Sequence, residues 1–191
     1  MLVLVLAPQP ALISATLAKA GDAFLSTTDK IDAAFVAEHR FDFLISYGYR
    51  YIIQQDVLEL MAGKNCNMHV SYLPWNRGAD PNFWSFVDDT PKGVSIHVMD
   101  KALDTGPILC QEEVYFEDNA TLRSSYSDLH KAMVGLFEAS WNKIRDGRLT
   151  STAQPAGGSY HRTSDKSELW ERLALGFDTP VNSVREQARA G

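Results

Sequence analysis

Residues 2–7 (LVLVLA) form an unbroken apolar run of strand length. A strand apolar on every position needs both faces covered, as in a parallel sheet with helices on each side. The next stretch alternates between two periods. Residues 11–20 place Leu12, Ala15 and Leu17 at helical spacing, and residues 23–25 make a second, short strand. Residues 31–38 read as a helix with Ile31, Ala34 and Phe35 on one face. Residues 41–46 (FDFLIS) are a third strand, 56–62 a helix, and 67–71 (NMHVS) a fourth strand. Strands separated by helices predict an α/β fold built on a mostly parallel, doubly wound, twisted sheet.

The pattern changes after Ser71. Residues 73–89 contain Pro74, Gly78 and Pro81, so they begin as a loop. Asp80-Pro81 then reads as an N-cap followed by proline at the first helical position, opening a short helix that carries Phe83, Trp84 and Phe86. Residues 93–99 and 108–116 are strands, and 121–145 the longest helix, with Leu122, Leu129, Met133, Phe137 and Trp141 at three- and four-residue steps. Gly147 is placed to end it. A loop at 154–159 and a short helix at 167–175 complete the chain.

Composition narrows the function classes. The chain has 191 residues, 45% hydrophobic, enough for one full core; the reading is one domain over 1–191, with 148–191 as a C-terminal extension packed on it. The net charge of −6 disfavours sequence-independent nucleic-acid binding and docking on anionic lipid. Cys66 and Cys110 form no paired motif and read as reduced thiols, Cys66 as a small core residue. No apolar run approaches the ~20 residues needed to cross a bilayer, and the apolar start lacks a basic flank and meets Pro8 and Pro10. A cytoplasmic protein is expected. The five histidines show no metal-ligand spacing, so no metal is expected.

Three short segments carry chemistry. Asn67 and His69 are two apart on a strand and share a face, presenting an amide and an imidazole at a strand's carboxyl end. Leu103-Asp104-Thr105-Gly106 lies between two strands, a tight turn able to bring a carboxylate to His69 and favour its charged form. Gly48-Tyr49-Arg50 leaves the third strand, where glycine permits close approach of backbone to a flat ligand. His97 reads as a satisfied structural histidine.

In combination, NMHVSYLP, then RGADPNFW, then GVSIHVMDKALDTGPIL resemble the folate-dependent formyltransferase superfamily, whose catalytic domain carries Asn-x-His before Ser-x-Leu-Pro and then Leu-Asp-Thr-Gly. The likeness covers residues 41–111. It implies a single-domain Rossmann-like formyltransferase fold, Asn67, His69 and Asp104 as the catalytic trio, and N10-formyltetrahydrofolate as formyl donor. In that role Asn67 and His69 donate to the oxyanion formed when an amine attacks the formyl carbon, and Asp104 orients His69 and, directly or through a water, helps remove the amine's proton. The resemblance also implies a pterin pocket at Tyr47, Gly48, Tyr49, Met99, Asp100 and Leu103.

Within the superfamily, LAPQPALI after the first strand lacks the glycines of a phosphate loop, which argues against glycinamide ribonucleotide as acceptor. The acidic chain argues against a tRNA substrate. PWNRGADPNFWSF and YHRTSDKSELWERLALGFDTPV are most similar to the branch that N-formylates nucleotide-linked amino sugars for surface polysaccharide. Trp75, Arg77, Tyr160, His161 and Arg162 would then meet the sugar nucleotide by stacking and phosphate contacts. The alternatives are a formyltransferase for another small amine and a non-catalytic folate- or nucleotide-binding protein. A homodimer through the long helix is compatible with the sequence.

Overall fold

Burial along each strand reports its place in the sheet. In the computed structural model, which describes residues 1–189, β1 (Leu2–Leu6) is fully buried from Val3 onward, as LVLVL requires. It is followed by α1 (Ala11–Lys19), β2 (Ala23–Thr27), α2 (Ala33–His39), β3 (Phe43–Ser46), α3 (Gln55–Leu60) and β4 (Asn65–His69). Next come β5 (Arg77–Gly78), α4 (Pro81–Val87), β6 (Gly93–His97), β7 (Ile108–Glu113) and the long α5 (Leu122–Arg145). The chain continues through β8 (Tyr160–His161), α6 (Ser167–Glu171) and α7 (Val181–Arg189).

Six strands form one sheet in the order β2-β1-β3-β4-β6-β7. β1 pairs parallel with β2 and β3, and β3 parallel with β4. Val98 N–H donates to Pro107 O and Val114 N–H to Lys92 O, so β6 and β7 run antiparallel. The outermost strands are the exposed ones: AFLST of β2 and the QEE end of β7 leave side chains in solvent, as edge strands can. The fold is thus the expected α/β one with a mostly parallel sheet flanked by helices. Between β1 and β3 the chain fits only α1, one short strand and α2.

The chain divides into two compact units. The first comprises residues 1–69, 96–110 and 134–154. Its core joins Leu4, Leu6 and Leu44 of the strands to Val36, Val57 and Met61 of the helices. Phe43 meets Trp141 edge to face at 5.2 Å, and the Trp141 indole N–H donates to the fully buried Asp22 carboxylate (2.9 Å). Arg145 Nη1 binds both Asp22 oxygens at 2.9–3.0 Å, and the Met1 amine lies 3.0 Å from Oδ1. Burial alone would raise the Asp22 pKa, but the Trp141 hydrogen bond and the Arg145 charge outweigh it and hold the carboxyl below its ordinary value of 3.8. A depressed carboxyl pKa stabilises the fold above 3.8, and that contribution is lost as pH falls through the folded value. Asp22→Asn should therefore cost about 3 kcal/mol at pH 7, and the gap to wild type in chemical denaturation should close below pH 3.8.

The second unit holds residues 70–95, 111–133 and those from Pro155 onward. Phe83, Trp84 and Phe86 of α4 pack with Leu122, Leu173, Val181 and Val184. Thr121 and Ser124 cap α5 reciprocally, each side-chain oxygen accepting from the other's backbone N–H. The buried Asn82 amide donates to Leu122 O and accepts from Ser125 Oγ.

Several boundaries depart from the pattern in the sequence. β4 begins at Asn65 and ends at His69, because Leu44 pairs with Asn65 and the Asn65 side chain is satisfied in the interior. Asp80 stands at the head of α4 but does not cap it. Its backbone is left-handed (φ 51°), and its carboxylate accepts from Lys166 Nζ at 2.7 Å. The expected helix 167–175 stops at Glu171 and is preceded by a 3-10 turn at Thr163–Lys166. α7 was not legible from its polar sequence. It forms because Val181 and Val184 share the buried face. Among the described residues no helix is long and apolar enough to cross a membrane.

Candidate active site

The site residues of the first unit come from the carboxyl end of β4, the end of β6 and the loop that follows it. Asn65 ties these pieces together: its Nδ2 donates to Met61 O at the end of α3, and its Oδ1 accepts from Met99 N–H (2.8 Å). Two residues on, Asn67 Nδ2 lies 3.1 Å from Asp104 Oδ1 and 3.2 Å from His97 Nε2. His69 Nδ1 faces the other Asp104 oxygen at 3.6 Å. The even spacing 65, 67, 69 places all three on one face of the strand.

His97 completes the cluster. It is 1% exposed, and its Nδ1 lies 2.8 Å from Val98 O, which can only accept. Nδ1 therefore carries a hydrogen, and Nε2 faces both the Asn67 amide (3.2 Å) and Asp104 Oδ1 (3.5 Å). The Asp104 carboxylate accepts, so the Asn67 amide turns its nitrogen toward it. The Asn67 amide nitrogen thus reaches the Asp104 carboxylate. His97, read from sequence as a structural residue, sits inside the polar cluster. The signal was its period-two relation to the buried Ser95 on β6.

Asp104 is 6% exposed and has φ 56°, a left-handed conformation that Asp adopts more readily than most residues. Its loop is pinned from within, where Asp100 Oδ1 accepts from Ala102 N–H and from Thr105 Oγ1 (2.7 Å). It is pinned from outside by Gln154, whose Nε2 donates to Asp104 O (2.8 Å) and Gly106 O (2.9 Å). Sequence reasoning passed over Gln154 as part of a loop.

The residues associated with a pterin take varied positions. Tyr47 is buried, its N–H donating to Leu6 O, and Gly48 has φ 68°. The Tyr49 hydroxyl donates to Asp29 O and accepts from Ile31 N–H, closing the strand-exit loop onto residues 29–31. Burial pushes its phenol pKa up. Met99 packs against the β1–β3 core and Leu103 is 46% exposed. Ile52, beyond β3, is 67% exposed, so the loops after β3 and β6 each offer an apolar side chain to solvent. Burial also raises the Cys66 thiol, in keeping with a core residue.

The five residues associated with a sugar nucleotide lie in the second unit. Arg77 and Gly78 pair with Tyr160 and His161 in a two-stranded sheet, which brings together residues far apart in sequence. His161 stacks flat on Trp84 (4.0 Å between centroids) and its Nε2 lies 2.8 Å from Asp88. Trp75 lies in the loop after the cis Leu73-Pro74 bond, its carbonyl accepting from Ser71 Oγ. Tyr160 is half exposed, and Arg162 is exposed, with its backbone N–H on Asp165. Among the described residues no group of three or more His, Cys, Asp or Glu is arranged to hold a metal ion.

Residues 12–138 match the family described as formyl transferase. The formyltransferase PseJ from Anoxybacillus kamchatkensis, solved with UDP-4,6-dideoxy-4-formamido-L-AltNAc and tetrahydrofolate, is 43% identical over 98% of this chain and 100% of that one, with a TM-score of 0.94. A Mycobacterium tuberculosis protein superposes with a TM-score of 0.79 at 27% identity, covering 98% of this chain and 85% of that one. A sugar N-formyltransferase from Shewanella shares the fold, with a TM-score of 0.78 at 20% identity over 98% of this chain and 87% of that one.

Proposed function

The chain belongs to the formyl transferase family, and we propose that it passes the formyl group of N10-formyltetrahydrofolate to the amine of a nucleotide-linked amino-deoxy sugar. The observation that carries this reading is the 43% identity, over 98% of this chain and all of the other, with a formyltransferase holding a UDP-linked 4-formamido sugar and tetrahydrofolate. A formamide at C4 is what formylation of a 4-amine yields. The acceptor for this chain is accordingly a UDP-linked 4-amino-4,6-dideoxy sugar.

The chemistry asked of the protein is limited. The amine nitrogen bonds to the formyl carbon, negative charge develops on the formyl oxygen, the bond to N10 breaks, and the proton lost by the amine is returned to N10. The contact of His69 with Asp104 supports giving it both tasks. With its Nδ1–H turned to Asp104, neutral His69 has a lone pair on Nε2 to take the amine's proton. Once protonated, the same atom donates to charge developing beside it. Asp104 orients the ring and balances its charge, and Asn67, the proposed second oxyanion donor, also hydrogen-bonds Asp104 beside His97. The exposed Ile52 and Leu103 suit a flat apolar ring face on the folate side. Tyr47, Gly48, Tyr49, Met99 and Asp100 frame the same loops. Trp75, Arg77, Tyr160, His161 and Arg162 are the proposed sugar-nucleotide contacts. A cytoplasmic enzyme serving surface-polysaccharide synthesis is proposed, and the C-terminal extension is proposed to belong with the catalytic domain.

The reading is tested by incubating the protein with N10-formyltetrahydrofolate and a panel of UDP- and dTDP-linked 3-amino and 4-amino sugars, with free amines as controls. Mass spectrometry should find one formyl group on a UDP-linked 4-amino sugar. Transfer only to a free amine would remove the nucleotide from the account, and folate binding without any product would overturn the enzymatic reading.

A further inference from the structure

Asp104 does its proposed work from an unusual position: a non-glycine residue at φ 56°, on a loop, with its carboxylate pointing into a buried polar cluster. Asp100 and Thr105 shape the turn locally, and Gln154 bonds the Asp104 backbone itself. The chain returns past the loop after α5, and Thr152 clips onto Ile108 by two backbone hydrogen bonds of 2.8 Å. Two residues later the Gln154 amide nitrogen divides its two hydrogens between Asp104 O and Gly106 O. One side chain thereby fixes the carbonyls on both sides of Thr105, and with them the direction in which the Asp104 side chain leaves the loop.

We propose that Gln154 is a positioning residue for the transfer reaction, setting through the loop backbone the distance and angle at which Asp104 meets His69. This rests on the reading of Asp104 and His69 as the reacting pair. The chemistry needs a donor at this point: two carbonyl oxygens converge on Gln154 Nε2, so a nitrogen bearing at least two hydrogens satisfies both, whereas an oxygen or a methyl group satisfies neither. Misplacement of a reacting group by about 1 Å costs on the order of 100-fold in rate, while the residues proposed for the sugar nucleotide lie outside this loop. The expected signature is a fall in kcat with little change in KM for the sugar nucleotide.

The test compares Gln154→Met, which keeps length and removes the donor, Gln154→Glu, which sets a carboxylate against two carbonyls, and Gln154→Lys, which restores a donor. Met and Glu should lower kcat about 10- to 100-fold, with KM for the sugar nucleotide within about threefold and the melting temperature nearly unchanged, while Lys should recover most of the rate. Normal kcat in Gln154→Met, equal losses in all three variants, or a loss confined to KM would overturn the proposal. A melting-temperature collapse in Met that Lys reverses would make Gln154 a structural pin, which also overturns it. Asp104→Asn is assayed alongside. If that variant turns over normally the reading of Asp104 has failed, whereas an inactive Asp104→Asn beside a normal Gln154→Met fails the Gln154 inference alone.

Discussion

Asp104→Asn should lower kcat by about 10²–10⁴-fold, the range for loss of a general acid–base partner, while leaving the fold and both KM values close to wild type. Asparagine is nearly isosteric, and its Oδ1 can still accept from Asn67 Nδ2 as the carboxylate does at 3.1 Å. What disappears is the charge on the oxygen that faces His69 Nδ1 at 3.6 Å. Without it the imidazolium that forms as the amine gives up its proton has no counter-charge in a pocket where His69, His97 and Asp104 are all buried. His69→Ala should fall by a similar factor, and the double variant should be scarcely worse than either single one, because the two residues act as a unit. Steady-state kinetics on the three proteins checks this; turnover near normal in either single variant would end the catalytic assignment.

Gly106→Ala should be strongly damaging for so small a change. A Cβ at this position would sit 1.8 Å from Val98 O and 2.9 Å from Val98 C, both backbone atoms of the segment leaving β6. No side chain can rotate away to relieve the overlap, so the loop must shift. That loop is held on one side by the Val98–Pro107 hydrogen bond and on the other by Gln154, and it carries Asp104 two residues upstream. A loss of about 3 kcal/mol of stability together with a drop in kcat of about 100-fold is expected, measured by denaturation and turnover on the same preparation. Gly135 is the internal contrast. It lies on the exposed side of α5, and a Cβ there would meet nothing within 4 Å. Gly135→Ala should stabilise the protein by about 0.5–1 kcal/mol, the ordinary helix-propensity gain, with kinetics unchanged. If the two glycines respond alike, close approach at Gly106 is not what selects glycine there.

Much of this protein is readable without coordinates, for identifiable reasons. LVLVL can only be a strand covered on both faces, and the 41–46 run follows the same logic, so the parallel half of the sheet comes from hydrophobicity alone. The long helix is announced by Leu122, Leu129, Met133, Phe137 and Trp141, all of which are buried in α5. Asn67 and His69 share a face because strand side chains alternate, and Asp104 was expected on a loop near them. These are local periodicities, and local sequence determines them.

The rest depended on which distant segments meet. Nothing near Asp80 indicates that its carboxylate will bind Lys166 rather than cap a helix, nor anything near Arg77 that it will pair with Tyr160. His97 looks like any strand histidine in the sequence; with β6 beside β4 its Nε2 lies 3.2 Å from the Asn67 amide and 3.5 Å from Asp104. Gln154 sits in a stretch with no periodicity, and its role exists only because the chain returns to the Asp104 loop. The sequence alone thus determined the strands, the helices and the residue types at the reacting centre. The tertiary structure decided which way each polar group points, because a buried hydrogen bond joins donors and acceptors that the chain order leaves far apart.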